Sequence, residues 1–322
     1  MSDVQIFDRV AIIGVGLIGS SFALATRANG LAGHVACYDA DADVRDRAEN
    51  LGVGDSMHAD IADAVRDAGL VVVATPVGAC GAVAAAMRPH LQPGSIVTDV
   101  GSVKGAVLKA MTPHIPEWVH LVPGHPVAGT EHSGPEAGFA ELFQNRFAIL
   151  TPPADANQDA VARLESIWRG MGADVEVMDA EYHDRVLAIT SHLPHLIAYT
   201  IVATASDLET ELEAGPCDDN VVTTREVIKY SAGGFRDFTR IAASDPVMWR
   251  DVFLLNKDAV LEMLGRFNED LTALQRAIRH DDGAALFELF SRTRDIRRGV
   301  IEARQAGRFQ YTENGKSGDD GA

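Results

Sequence analysis

The spacing of apolar and polar positions changes halfway along the chain. In the first half, short apolar runs rich in β-branched residues alternate with stretches of helical period. "RVAIIGVG" (9–16), "HVACYDAD" (34–41), "LVVVATP" (70–76) and "SIVTDVGS" (95–102) are such runs, each leading into a helical pattern. "FAILTP" (147–152) and "ADVEVMD" (173–179) flank one more helix pattern over 158–171. Buried strands alternating with helices predict a parallel sheet with helices on both faces. After Asp179 the strand signal stops. Residues 180–214 read as one long helical stretch, with Pro194 expected to kink it and to free a backbone carbonyl near residue 190. "EAGPCDDN" (213–220) reads as a loop, and helical patterns resume at Val221 and run to about Gly307. The pattern therefore predicts an α/β domain over 1–179, an all-helical domain over 180–310 and a frayed tail over 311–322.

Composition narrows the class. Of 322 residues, 47% are hydrophobic and 23% charged, which is the balance of a globular chain with an ample core. The net charge of −18 is spread along the sequence, and no basic stripe marks a nucleic-acid partner. An anionic substrate then needs a local cation to overcome the global field. Cys37, Cys80 and Cys217 are odd in number and unpaired in spacing, so neither a disulfide framework nor a zinc site is expected, and a reducing cytoplasm fits. The first ten residues carry no signal-peptide pattern. The longest apolar helix candidate, "LIAYTIVATA" (196–205), is too short to span a bilayer and reads as a buried core helix, so no membrane partner is expected.

The first apolar run ends in G-x-G-x-x-G. Gly14, Gly16 and Gly19 close a strand and open a helix, which is the setting that gives this weak motif its meaning. In that setting Gly14 allows a tight turn, Gly16 lets the backbone approach a pyrophosphate, and Gly19 lets the helix lie close to the sheet. The phosphates then meet the helix N-terminus formed by Gly16, Leu17, Ile18 and Gly19. Asp39 ends the second apolar run, placed to accept hydrogen bonds from ribose hydroxyls and to repel a 2′-phosphate. No Arg follows it at once, and Arg45 lies a helical turn into the next helix, so NAD is expected rather than NADP. Thr75 and Pro76 in "ATPV", and Ser102 and Lys104 in "DVGSVKG", fall at carboxyl ends of strands, where open α/β sheets bind ligands. The plain alternative for Ser102 is an N-cap of the following helix, and it can serve both ends.

"PGHPVAGTEHSG" (123–134) has neither helix nor strand period. His125 sits within it, after the apolar "VHLVP". A histidine is the side chain best suited to take a proton near neutral pH, and a dehydrogenase needs such a group on the hydroxyl being oxidised. A nearby Ser can fix the ring's orientation.

With "DVGSVK", "GHPVAGTEHSG", "SHLPH" and "GGFRDFTRIAASDPVMWRD" in this order, the chain resembles the prephenate/arogenate dehydrogenase family of tyrosine biosynthesis. The resemblance runs from Val10 to about Arg304. It implies an NAD(P)-binding Rossmann domain joined to a helical dimerisation domain, hence a homodimer. The implied reaction is oxidative decarboxylation of prephenate to 4-hydroxyphenylpyruvate, or of arogenate to tyrosine. It implies that His125 is the catalytic histidine on the ring hydroxyl with Ser102 beside it, and that Arg240 binds a substrate carboxylate. Thr130, Glu131, Ser191, His195 and Trp249 match positions lining the family's cleft. The chemistry agrees. Taking hydride from the carbinol carbon leaves an electron-poor centre, and loss of carbon dioxide supplies electrons and makes the ring aromatic. That demands orientation, one proton acceptor and a hold on an anionic side chain, with no metal or covalent nucleophile.

Other readings of these residues are plainer. His192 and His195, with His183 upstream, have spacing that a metal can use, but no Cys or carboxylate cluster completes a ligand set. A packed core histidine is the alternative for His192, a surface salt bridge for Glu131, solvated charges for Lys229 and Arg236, and helical core for Trp249. A dehydrogenase of the 3-hydroxyisobutyrate type needs G-x-x-x-K-x-x-x-N, whereas "NKDAV" places Asn256 before Lys257. A non-catalytic NAD-sensing regulator needs a partner or DNA-binding element, and the sequence offers none.

Overall fold

The structure, a computed structural model, describes residues 5–213 and 232–302. Cys217, Lys229, the "EAGPCDDN" loop beyond Glu213, the helix expected to resume at Val221, and the tail 311–322 lie outside the described residues. The chain divides into two compact units, residues 1–265 and 266–322.

The first unit is built on a six-stranded parallel sheet in the order β3-β2-β1-β4-β5-β6. Its strands are β1 (Val10–Ile13), β2 (Val35–Tyr38), β3 (Ser56–His58), β4 (Leu70–Val73), β5 (Ile96–Asp99) and β6 (His120–Leu121). Between them run α1 (Leu17–Ala28), α2 (Ala42–Asn50), α3 (Ile61–Val65), α4 (Cys80–Met87) and α5 (Lys104–Met111). This is the doubly wound order, whose ligand crevice lies at the carboxyl ends beside β1 and β4. Side-chain alternation explains how unbroken apolar runs serve both faces. Val10 and Ile12 of β1, with Leu70 and Val72 of β4, enter one core. Ala11 and Ile13, with Val71 and Val73, enter the other.

The remaining strands do not extend that sheet. β7 (Gly124–Pro126), β8 (Phe147–Leu150) and β9 (Asp174–Val177) form a separate three-stranded sheet, with β7 antiparallel to β8 and β8 parallel to β9. The parallel sheet is as expected, but the runs at 147–150 and 174–177 lie outside it, and the reading of "PGHP" as devoid of strand is corrected. Gly124–Pro126 pairs with Ala148–Leu150 although Gly and Pro erase its periodic signal. The helix α6 (Gln158–Gly170) packs Trp168 edge-on against Phe22 and Phe143, fixing this small sheet to the first core.

Helices α7 (Ala180–Leu187) and α8 (Leu193–Glu213) follow, joined by a π-helical turn over Ala188–His192. Where Pro194 was expected to kink the helix, a wider π turn lies just before it, and helical structure continues on its C-terminal side. The helix Ala180–Leu208 thereby reaches 29 residues with a mean hydropathy of 1.5 in its most apolar window. That is long and apolar enough to cross a membrane by length and composition, so the argument from the short stretch 196–205 does not hold. Only 28% of that window is buried within the chain, which also corrects its reading as a buried core helix. A short helix α9 (Gly233–Thr239), a 3₁₀ turn (Arg240–Ala243) and α10 (Pro246–Leu255) complete the segment, and Trp249 and Val252 of α10 join the second core with Val77 and Cys80. In the second unit, α12 (Gly283–Glu302) follows the C-terminal part of α11 (Lys257–Arg279), and Phe287, Phe290 and Ile296 lie exposed along it.

Candidate active site

The glycine loop has three glycines with three different reasons. Gly14 adopts φ +99°, and a Cβ there would lie 2.6 Å from the Ala74 carbonyl oxygen and 3.2 Å from Thr75 Cγ2. A Cβ on Gly19 would strike the Gly14 carbonyl oxygen. Gly16 has no such internal constraint, because the space its Cβ would fill is open. Helix α1 starts there without a capping side chain and without an acid in its first turn. An uncapped helix N-terminus under open space suits a phosphate, so the residues present fit a dinucleotide.

Asp39 follows β2 and is fastened across that loop. Its Oδ2 accepts from the Val15 N–H at 3.0 Å and its Oδ1 from the Asp41 N–H at 3.0 Å. Each oxygen keeps a second lone pair for a ribose hydroxyl. The Arg45 guanidinium donates to the carbonyls of Asp39 and Ala40 at 2.8 and 3.0 Å, so the nearest cation is turned onto backbone. Thr75 and Pro76 follow β4 directly, Thr75 half-buried and Pro76 exposed.

His125 lies in β7, 8% exposed. Its Nδ1 is 2.8 Å from Nε2 of His183, and His183 Nδ1 is 2.8 Å from Oδ1 of Asp184. The Asp184 carboxylate also accepts the N–H groups of Lys104 and Gly105, each at 2.8 Å, at the start of α5. Beneath them a fully buried Lys104 donates from Nζ to Asp99 Oδ2 and to the Gly124 carbonyl, each at 2.5 Å. Burial first, and then the electrostatic influence of His183, Lys104 and His192, hold the His125 ring well below the ordinary histidine range. The structure corrects both readings of Ser102. Val103, not Ser102, is the N-cap of α5, and Asp184 from α7 supplies the missing cap. His183, not Ser102, orients the His125 ring.

A second cluster adjoins through His192. Asn256 donates from Nδ2 to the Asp184 carbonyl at 2.9 Å and lies 3.1 Å from His192 Nδ1. Burial pushes His192 down to about 4. Its Nε2 is buried without a partner of hydrogen-bonding geometry. His195 stacks on Trp249 at 3.6 Å with the planes 23° apart, and its Nδ1–H donates to the carbonyl of Ser191 at 2.9 Å. The carbonyl expected to be freed by Pro194 thus has its nearest counterpart one residue along, held by a side chain. Trp249 is core, as its plain reading had it, and its Nε1 is buried and unpaired.

Arg240 and Glu131 form a partly exposed ion pair at 2.7 Å. Glu131's carboxyl is held below its ordinary value by its own backbone N–H first, burial opposing, and by Arg240. Thr130 braces the same loop by accepting from the His132 N–H at 3.2 Å, and the Tyr199 hydroxyl holds the end of Arg240's turn through the Ser244 carbonyl at 2.9 Å. Arg236 is exposed. Among the described residues no group of three His, Cys, Asp or Glu side chains is placed to share a metal ion.

Sequence reasoning missed His183 and Asp184 as a pair. The available signal was polar residues on the buried face of α7, where His183, Asp184 and Leu187 are all buried.

Known proteins resemble this chain over most of its length. Residues 22–177 match the family model described as prephenate dehydrogenase, nucleotide-binding domain, and residues 179–292 match prephenate dehydrogenase, dimerization domain. A cyclohexadienyl dehydrogenase of Zymomonas mobilis is 46% identical over 292 residues, covering 91% of this chain and 96% of that one. A prephenate dehydrogenase of Bacillus subtilis is 33% identical over 92% of this chain and 77% of its own length. The crystal structure of prephenate dehydrogenase from Aquifex aeolicus, in complex with hydroxyphenyl propionate and NAD+, superposes with a TM-score of 0.80 at 32% identity, covering 91% of this chain and 98% of that one. With both domain models matched in order and full-length relatives on either side, this chain belongs to the prephenate dehydrogenase family.

Proposed function

We propose that this chain is an NAD-dependent dehydrogenase that oxidatively decarboxylates cyclohexadienyl substrates, prephenate to 4-hydroxyphenylpyruvate and arogenate to tyrosine, as a cytoplasmic homodimer. The observation that carries the reading is a buried His125 whose Nδ1 is engaged and whose Nε2 takes no hydrogen bond among the described residues. Residues 1–179 hold the cofactor and 180–310 shape the substrate site and the dimer. NAD, when bound, supplies the hydride acceptor. Gly14, Gly16, Leu17, Ile18 and Gly19 hold its phosphates, Asp39 its adenosine ribose, and Thr75 and Pro76 border the crevice. His125 Nε2 accepts the proton of the substrate hydroxyl. Burial keeps that ring neutral, and so free to accept a proton, at neutral pH. Ser102, in the turn that follows β5, contacts the substrate. Arg240 holds a substrate carboxylate, exchanging Glu131 for it. Thr130, Ser191, His195 and Trp249 wall the substrate ring.

Purified protein supplied with NAD and prephenate, and in parallel with NAD and arogenate, is expected to raise NADH absorbance. No NADH with either substrate would overturn the reading.

Cofactor choice rests on Asp39 and on Arg45 being turned onto backbone carbonyls. NAD is expected to give the higher kcat/KM, and Asp39→Ser with Ala40→Arg is expected to shift preference toward NADP. Equal efficiency of the wild-type enzyme with both cofactors contradicts this. Arg240→Lys keeps the charge but loses the planar fork, so its main expected effect is a raised KM with kcat little changed. A normal KM for Arg240→Ala removes the residue from the site.

The homodimer rests on the family's dimerization domain and on apolar side chains left exposed in the helical segment. Ile201, Leu208, Leu254 and Leu261 are each at least 40% exposed in the single chain. Light scattering at micromolar concentration is expected to give twice the chain mass, and a clean monomer contradicts it.

A further inference from the structure

Resting on the reading of His125 as the base, we propose that His183 and Asp184 are positioning residues that hold His125 in its Nδ1–H tautomer and so leave the Nε2 lone pair for the substrate proton. The argument runs inward from Asp184. Three donors converge on its carboxylate, namely the N–H groups of Lys104 and Gly105 and the Nδ1 of His183, each at 2.8 Å. A carboxylate that already takes two backbone N–H groups at a helix N-terminus faces the His183 ring as an acceptor. The ring nitrogen facing it must therefore carry hydrogen. A neutral imidazole carries one N–H, so His183 Nε2 is an acceptor. The nitrogen 2.8 Å away, His125 Nδ1, must then be the donor, and the hydrogen is excluded from Nε2.

The surroundings make the chain rigid. His183 is fully buried and Asp184 nearly so, and α5 cannot be capped from its own sequence because Val103 is its N-cap. The charged and titratable groups facing His125 are Lys104 from α5 and its partner Asp99 from β5, His192 from the π turn, and His183 with Asp184 from α7. When His125 takes up the substrate proton, its Nδ1–H bond to His183 becomes charge-assisted, and Asp184 offsets the new charge across one ring. No proton need leave His183 for this to work. A purely structural role, in which Asp184 only caps α5 and His183 only fills space, assigns no tautomer to His125.

The test reads the tautomer and the rate separately. In ¹⁵N-histidine spectra of the wild-type protein with NAD, His125 is expected to show a protonated Nδ1 and a bare Nε2. His183→Gln keeps an acceptor facing His125 and should retain both that spectrum and most of kcat. His183→Leu removes the acceptor, and kcat is expected to fall about 10-fold or more, with KM little changed. Asp184→Asn removes the anion behind the relay, so the acid limb of kcat/KM should move to lower pH. A wild-type His125 protonated at Nε2, a His183→Leu enzyme with wild-type kcat, or a His183→Gln enzyme as slow as His183→Leu overturns the proposal. If His183→Leu fails to fold, the wild-type spectrum and the Gln variant still decide. The spectrum needs no substrate, so it separates failure of this proposal from failure of the reaction assignment.

Discussion

Replacing His125 by Asn is expected to lower kcat by about 10²–10⁴-fold, the usual worth of general-base catalysis, while cofactor affinity stays unchanged. Asn can hydrogen-bond the substrate hydroxyl but cannot take its proton, so much of the substrate affinity should survive. The wild-type enzyme should lose kcat/KM as pH falls, because only the neutral ring is a base. Burial holds His125 well below 6.5, so this acid limb belongs below pH 6.5. The Asn variant should lack the limb altogether. Acid unfolding must be separated from it. His125 and His192 both prefer the neutral form when folded, His192 titrating near 4. Unfolded histidines bind protons near pH 6.5, so the unfolded chain takes up protons first and stability falls with pH between about 6.5 and 4. Initial rates above the pH at which circular dichroism begins to fall isolate the catalytic limb. An Asn variant turning over at the wild-type rate would show that His125 only braces the Gly–His–Pro strand.

What could be read from the sequence depended on how local the physics was. The strand runs 10–13, 35–38 and 70–73 were legible because their burial on both faces leaves an unbroken apolar signature. The glycine loop was legible because each glycine answers to a neighbour a few residues away or to open space. β3 and β7 were not legible, since three residues such as Ser56–His58 or Gly124–Pro126 carry too little pattern to show a period. Pro194 was read as a kink because a proline cannot donate to an α-helical ladder, and nothing local announces that a π turn will precede it. The capping alternative for Ser102 failed for a longer-range reason. A serine near a helix start is an ordinary capping candidate, but the N-terminal N–H of Lys104 is taken by Asp184, 80 residues on. The same distance hid the His125–His183 contact, which spans 58 residues and depends on how α7 lies against the sheet. His125 itself was visible through its chemistry and a family motif, whereas its partners were visible only as misplaced polarity on an apolar helix face.

The largest expected change in stability comes from Lys104→Met. Lys104 and Asp99 form an ion pair at 2.5 Å with both side chains fully buried. Forming such a pair adds little net stability, because desolvation of both charges offsets their attraction. Breaking it from one side is different, since it strands the other charge, and the typical cost is about 3–5 kcal/mol. Here the stranded group is Asp99, which still accepts the N–H groups of Gly101 at 2.8 Å and Gly124 at 3.2 Å. Those two bonds keep the carboxylate from being orphaned, but neither supplies a countercharge. Lys104→Met also leaves the Gly124 carbonyl without its Nζ donor, an added cost of about 1–3 kcal/mol if no water replaces it. Asp99→Asn strands the ammonium instead and should cost a similar amount. The double variant Lys104→Met with Asp99→Asn removes both charges while the Asn oxygen still accepts a backbone N–H. It should therefore be more stable than the sum of the single losses by about 2 kcal/mol or more. Urea titrations of the four proteins at one pH give this cycle directly. Since Gly124 precedes His125, the single Lys104 variant should also lose kcat per folded molecule. A Lys104→Met protein within 1 kcal/mol of wild type would mean that the pair at the end of β5 does not hold the strand that carries His125.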